Sequence, residues 1–312
     1  MAYSLQHIDR LRLRHLRLLA LIDQYGSLRG VGNILNLTQP AVSQMVKDLE
    51  YAFGTELVTR SVRGVALTEA GRLALQRARS GLATFDHLVK ELQTDQPMIL
   101  RVGTNPALTF QLIPDALRQL HLGGKQVRFR FLTGIVSDMM QALWDGELDC
   151  YVGRVDWDRL PHQMASALRH VPLARTDLVL ACSTSHPLAA RGPVSVDELV
   201  KWPWVLPDDE SNNRVALEAG LRNHGIAAPQ PIAEIAADPN ALMIFARQLE
   251  ALTCVPQMAL ARQIEVGEMC ALDVPDLVLP PIQIGFVTLA EHVDMPPLVA
   301  LREALILGVT TS

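Results

Sequence analysis

Residues 38–47 read T-Q-P-A-V-S-Q-M-V-K. Gln39, Ser43, Gln44 and Lys47 fall on one face of a helix there, and Val42, Met45, Val46 and Leu49 recur on the other. A row of amide, hydroxyl and amine groups can donate to and accept from base edges, which is major-groove chemistry. Thr38 is placed to cap this helix with its hydroxyl, and Pro40 sits in the first turn, where a missing N–H costs little. Upstream, Leu28, Val31, Ile34 and Leu35 repeat at helical spacing toward a core, and Asn36 tolerates the turn between the two helices. Downstream, L-V-T-R-S-V-R-G-V-A-L-T-E-A-G (57–71) reads as a β-hairpin with Arg60 and Arg63 near a Gly64 turn, then a helix capped by Thr68. The spacing predicts Gln39, Ser43 and Gln44 at base edges, with Pro40 and Lys47 beside them. Ser27, Thr38 and Arg63 are expected at phosphate or the minor groove, and Arg60 on the wing next to them.

A second set of candidates lies further on, each just past the end of an expected strand, where open α/β sheets bind ligands. Thr104 and Asn105 follow the first strand of that region; Gly134, Ile135 and Val136 follow the second; Arg154 follows the third. Pro207 and Asp208 end a later strand, and Ala236 and Asp238 precede a helix. Helix N-termini, a Thr hydroxyl and one arginine suit a small organic anion. Thr104 reads equally as a helix cap with no ligand, and Arg154 also reads as a solvated surface charge. Asp208 and Asp238 oppose an anion if they point inward. Catalytic chemistry is not in view: there is no G-x-G-x-x-G, Walker loop, G-x-S-x-G or H-E-x-x-H, and the nine histidines are scattered. Cys150, Cys182, Cys254 and Cys270 have neither metal-site nor C-x-x-C spacing, so free buried thiols, no metal and no cofactor are expected. Trp144, Trp157, Trp202 and Trp204 are read as packing.

The chain has 312 residues, 49% apolar and 20% charged, which is the composition of folded domains. Its net charge of −5 is divided unevenly. Residues 1–80 carry 11 Lys/Arg against 6 Asp/Glu, a net of +5, and the remainder 17 against 27, a net of −10. A basic head on an acidic body is expected when one end meets phosphate. No apolar run approaches the roughly 18 residues of a membrane span, and Arg10, Arg12, Arg14 and Arg17 break up the N-terminal leucines. No membrane and a cytoplasmic location are therefore expected.

The elements that must position these groups follow in order. A helix over 9–25 turns Leu13, Leu16 and Ala20 inward, with Leu19 and Ile22 beside them, and ends at a left-handed Gly26. The winged helix-turn-helix completes a domain over 1–67. In its first short helix Gly30 and Gly32 each cost roughly 1 kcal/mol. From Thr68 to about Thr94, Ala74, Ala78, Leu82, Phe85, Val89 and Leu92 step by four and three, a seam for a second copy to cover, with packing on the chain's own body domain as the alternative. Residues 68–96 thus form a linker helix, with a hinge at Gln96 and Pro97. Strands and helices then alternate as βαβαβ, giving a parallel sheet, and the chain later returns to it. Two lobes are expected in residues 97–312: one from 97–171 with 280–312, the other from 172–279.

Residues 12–92 resemble the N-terminal domain of a LysR-type transcriptional regulator. The motifs are G-S-L at Gly26, T-Q-P-A-V-S-Q, D-L-E at Asp48, the R-x-x-R-G of the wing and L-T-E-A-G after it. Residues 97–307 resemble that family's periplasmic-binding-protein-like effector domain, with G-x-L-D at Gly146 and H-P-L-A at His186 as local marks. The resemblance implies a regulator that binds double-stranded DNA at a pseudo-palindromic promoter site under control of a small-molecule effector. It also implies a homodimer through the linker helix, a homotetramer through further body contacts, and RNA polymerase as a further partner. The competing reading is a metabolite-binding or catalytic α/β protein that uses its head for dimerisation.

Overall fold

The computed structural model describes residues 8–9, 11–61, 64–92, 99–109, 112–122, 127–209, 211–236 and 238–310. The chain falls into two compact units, Met1–Met98 with Gln141–Leu148, and Ile99–Met140 with Asp149–Ser312.

In the first unit α1 (Leu13–Tyr25) begins four residues later than expected, because Arg12 is extended and its N–H donates to His15 Nδ1 at 2.9 Å. Its buried face is His15, Leu18, Leu19 and Ile22, while Leu13, expected inward, is exposed. Leucines lie all round this helix, so their periodicity alone does not choose a face. Gly26 closes it in the left-handed region. In α2 (Leu28–Leu35) the Ser27 hydroxyl caps the helix, accepting from Gly30 N. Ile34, also expected in the core, is 53% exposed. Gly32 has a specific use: a Cβ there would stand 2.7 Å from the Leu37 carbonyl oxygen, so its propensity cost secures the tight turn. Asn36 makes that turn at φ 53°. Next, α3 (Gln39–Phe53) buries Val42, Met45, Val46 and Leu49 as expected. Thr38 holds the cap position, but its hydroxyl makes no capping hydrogen bond, contrary to expectation.

The hairpin pairs β1 (Val58–Ser61) with β2 (Gly64–Leu67) in antiparallel register, Val58 opposite Leu67 and Ser61 opposite Gly64. Glu50 of the D-L-E motif anchors its base, accepting from Leu57 N at 2.9 Å and Val58 N at 3.2 Å. Thr68 caps α4 (Glu69–Leu92) as predicted, accepting from Gly71 N at 2.9 Å. Gly71 admits the wing: a Cβ there would lie 2.0 Å from the Leu57 carbonyl oxygen. The predicted seam divides. Ala78, together with Leu75, is buried in the core of this unit, whereas Phe85, Val89 and Leu92 are exposed in the single chain. The predicted hinge at Gln96 and Pro97 lies outside the described residues.

The second unit opens with β3 (Ile99–Thr104), a 3-10 turn (Pro106–Thr109), α5 (Leu112–Leu122), β4 (Arg128–Thr133), the start of α6 (Val136–Trp144), whose residues from Gln141 on count with the first unit, and β5 (Cys150–Gly153). The two crossovers place β4 and β5 parallel to β3 on either side, as the βαβαβ pattern predicts. A 3-10 turn (Trp157–Arg159) and α7 (His162–Ala167) lead into β6 (Leu168–Thr176), and β12 (Ile282–Leu289) pairs antiparallel with both β5 and β6. The sheet order is β4-β3-β5-β12-β6. The sequence reading missed β6, whose centre is Pro172. A register shift between Ile284 and Gly285 accommodates that proline. Because β6 stays in this sheet to Thr176, the chain leaves the first lobe five residues past the expected boundary at 171.

The second lobe is built on a three-stranded sheet, β10 (Thr253–Pro256), β7 (Leu178–Ser183) and β11 (Met269–Ala271), with β7 central. Around it lie α8 (Val196–Leu199), the parallel pair β8 (Val205–Leu206) and β9 (Ala233–Glu234), α9 (Asn212–Asn223), α10 (Pro239–Gln248) and α11 (Gln257–Glu265). The closing helix α12 (Pro296–Thr310) returns to the first lobe, where Leu298, Leu301 and Leu305 are buried. Each fully buried leucine stabilises the fold by roughly 1.5–3 kcal/mol. Trp204 is buried with Nε1 donating to Leu199 O at 3.2 Å, a packing role. All four cysteines are free thiols, three of them buried.

Candidate nucleic-acid interface and ligand cleft

The outward face of α3 carries the predicted reading groups. Thr38, Gln39, Pro40, Gln44 and Lys47 are exposed, and Ser43 is half-buried. They are not equally free. Gln44 Nε2 donates to Asp48 Oδ1 at 2.8 Å, one turn along the helix. Arg60 reaches from the wing, and its Nη2 donates to Ser43 Oγ at 2.8 Å. Wing and helix are therefore tied into one polar surface through a guanidinium on a hydroxyl. Ser27 faces the start of α2, its hydroxyl engaged in the cap. Arg63 lies outside the described residues. Sequence reasoning missed Asp48 as the partner of Gln44, although their separation of four residues was legible. It also missed Glu50 as the anchor of the wing.

The second set of predicted residues lines a cavity of about 750 Å³ between the lobes of the second unit. Asn105, Gly134, Ile135, Val136 and Arg154 form the wall from the first lobe, where β3, β4 and β5 end. Pro207, Asp208, Ala236 and Asp238 form the opposite wall. Thr104 is the exception. It is 0% exposed, does not line the cavity, and donates its hydroxyl to Val152 O at 2.8 Å, fastening β3 to β5. Its place as the last strand residue turns it into the sheet, so both expected roles, ligand contact and helix cap, are replaced by a structural one.

The electrostatics differ from the sequence expectation. Arg154 Nε donates to Asp156 Oδ1 at 2.9 Å, so its charge is already paired. The other Asp156 oxygen accepts from Asn212 Nδ2, across the cleft at the start of α9. Asp238 caps α10, accepting from Asn240 N at 2.9 Å and Ala241 N at 3.3 Å. Asp208 and Asp209 also line the cavity, with Arg159 as its second guanidinium. Four carboxylates against two guanidiniums stand against the simple organic anion. Cys254 lies in the wall too, but burial pushes its thiol pKa well up and keeps it protonated. The rim on the second lobe is braced from behind by Arg214, whose guanidinium donates to Pro207 O at 3.1 Å, to Glu218 at 2.8 Å and to Glu234. Asp156, Arg159, Asp209 and Asn212 escaped the sequence reading. D-W-D-R directly after the third strand, and S-N-N at a helix start, were the available signals.

Among the described residues no cluster of His, Cys, Asp or Glu could hold a metal, and no helix is long and apolar enough to cross a membrane.

Two family models match the chain. "Bacterial regulatory helix-turn-helix protein, lysR family" matches residues 13–72, and "LysR substrate binding domain" matches residues 96–307. Among similar characterised proteins, the HTH-type transcriptional regulator GbpR of Azospirillum brasilense is 27% identical, covering 77% of this chain and 73% of its own. TdcA of Escherichia coli K12 is 28% identical over 69% of this chain and 68% of its own. Among solved structures, ArgP from Mycobacterium tuberculosis superposes with a TM-score of 0.64 at 17% identity, over 96% of this chain and 98% of that one. Full-length LysG from Corynebacterium glutamicum, solved with bound effector Arg, gives 0.62 at 16% identity, over 96% and 99%.

Proposed function

We propose, for a chain that belongs to the LysR family of bacterial helix-turn-helix regulators, that two copies grip a pseudo-palindromic promoter site under control of a small molecule in the interlobe cleft. That the chain is a DNA-binding transcriptional regulator with an effector-binding domain follows from its family. The finer reading is carried by one observation: the exposed α3 face joins Gln39, Ser43 and Gln44 to the wing through the Arg60–Ser43 hydrogen bond. In this reading Gln39 and Gln44 meet base edges, Arg60 and Lys47 meet phosphate, and Arg63 on the wing turn meets phosphate or the minor groove. The exposed Phe85, Val89 and Leu92 of α4 support a homodimer through that helix, and its two-fold axis calls for paired half-sites. Assembly to a tetramer, contact with RNA polymerase and work in the cytoplasm, beside the chromosome, complete the proposal. The protein acts by binding rather than by catalysis.

The test is selection of binding sites from randomised duplex DNA. The wild-type protein is expected to enrich a two-fold-symmetric pair of half-sites. Gln44→Ala should lose preference at one base pair per half-site, a change of roughly 1–3 kcal/mol there. Equal loss on selected and random DNA would reduce Gln44 to a backbone contact, and failure of the wild type to enrich any site would refute the promoter reading.

A further inference from the structure

We propose that the cleft takes an amphoteric ligand, with its acid on the first lobe and a protonated amine on the second. This rests on reading the cleft as the effector site, and it stands on the partners of the lining groups. The cation expected to receive an anion is already neutralised: Arg154 is paired with Asp156 at 2.9 Å. One helix start on the second lobe is also occupied, since Asp238 accepts from the first N–H groups of α10. The protein thus supplies its own carboxylates where a ligand carboxylate would otherwise sit.

The charged side chains left over are sorted by lobe. On the first lobe, Arg159 has no ion-pair partner among the described residues, and α6 begins at Val136 with Ser137 lining the cavity. Both suit a carboxylate. On the second lobe, Asp208 and Asp209 line the cavity and have no ion-pair partner among the described residues. Both suit an ammonium. The first-lobe wall adds an independent sign. Asn105 borders the cavity, and its Oδ1 is buried with no hydrogen-bond partner among the described residues. A buried acceptor in that state calls for a donor from the ligand or from a bound water, and the ammonium, with three N–H groups, supplies one to Asn105 of the first lobe while it faces Asp208 and Asp209 of the second. A dicarboxylate would leave Asn105 unmet and face Asp208 and Asp209 with like charge. Apolar Ile135, Val136, Leu160, Val215 and Leu242 are left to hold the ligand's side chain. A molecule held this way joins the two lobes by opposite charges, so it binds the closed arrangement better than an open one. That difference is what effector control requires.

The experiment is calorimetric titration of the full-length protein with matched probes. One series is L-phenylalanine, 3-phenylpropionate and 2-phenylethylamine; the other is L-leucine, 4-methylpentanoate and 3-methylbutylamine. At least one amino acid should bind at least tenfold more tightly than both its deaminated acid and its decarboxylated amine. The double variant Asp208→Asn, Asp209→Asn should lose that preference while keeping the ligand-free melting temperature, because neither side chain has an ion-pair partner among the described residues. The proposal is overturned if the acids bind as well as the amino acids, if no probe binds at millimolar concentration, or if the double variant binds like wild type. The regulator reading fails separately, by absence of sequence-selective DNA binding in the ligand-free wild-type protein.

Discussion

Gln44 has two amide N–H groups, and one is donated to Asp48 four residues along α3. The other N–H and the Oε1 acceptor remain for a base, the pair of contacts that adenine offers at N7 and N6. In the proposed reading Asp48 is a positioning residue that holds the amide plane at no cost to the atoms that would meet a base. Asp48→Ala should free the amide to rotate and weaken discrimination at the base pair that Gln44→Ala relaxes, by less than the roughly 1–3 kcal/mol of the full contact. Asp48→Asn, which keeps an acceptor oxygen, should restore it. Fluorescence anisotropy on a selected site and its single-base variants measures both. Unchanged discrimination in Asp48→Ala would make the hydrogen bond incidental. At this scale the sequence was informative where side-chain type and helical period suffice, as for the exposed Gln39, Gln44 and Lys47. It was silent on partnership. Thr104 has the right type and position for a ligand contact, yet its hydroxyl goes to Val152 on a strand 48 residues away.

Among the elements, α4 has two environments along one seam. Its first turns bury Leu75 and Ala78 in the head core, and its last turns expose Phe85, Val89 and Leu92, the last 78% accessible. Since Phe85 is exposed in the single chain, Phe85→Asp should leave each head folded and act only on association. Light scattering is expected to show a shift from dimer toward monomer. Affinity for a full site should fall toward that of a half-site, because the second head loses its raised effective concentration. A dimer of unchanged mass would remove α4 from the interface. The same helix shows what periodicity can and cannot do: it placed the stripe, and packing chose which half of the stripe the chain covers itself. β6 is the opposite case. Its proline argues against a strand, and only pairing with β12, more than a hundred residues on, with a register shift at Gly285, makes it one.

For the whole molecule, the uneven charge is the property with the widest consequence. A protein of net charge −5 would be repelled by DNA were its charge spread evenly, but residues 1–80 alone carry +5. Binding through Lys and Arg releases counterions, so affinity should fall steeply with salt. Raising KCl from 50 to 200 mM is expected to weaken binding to any duplex at least roughly tenfold. The ratio between a selected and a random site should change less, since base contacts release few ions. Filter binding across a salt series reads both, and a flat series would deny the head its phosphate contacts.

The sequence by itself determined the reading helix, the wing, the Thr68 cap and the parallel βαβαβ core. Each depends on neighbours within a few residues or on one local period. It also put Asn105, Gly134, Arg154, Pro207 and Asp238 at strand ends or helix starts, and so at the cleft, because topology alone carries such positions there. The tertiary structure decided which charges are spent. Arg154, a lone arginine at its strand end in the sequence, is paired with Asp156, and Asp156 in turn reaches Asn212, 56 residues further along the chain. Charge balance in a cleft is a sum over groups from many strands and both lobes. No local pattern contains it, and folding settles it by bringing those groups within hydrogen-bond reach.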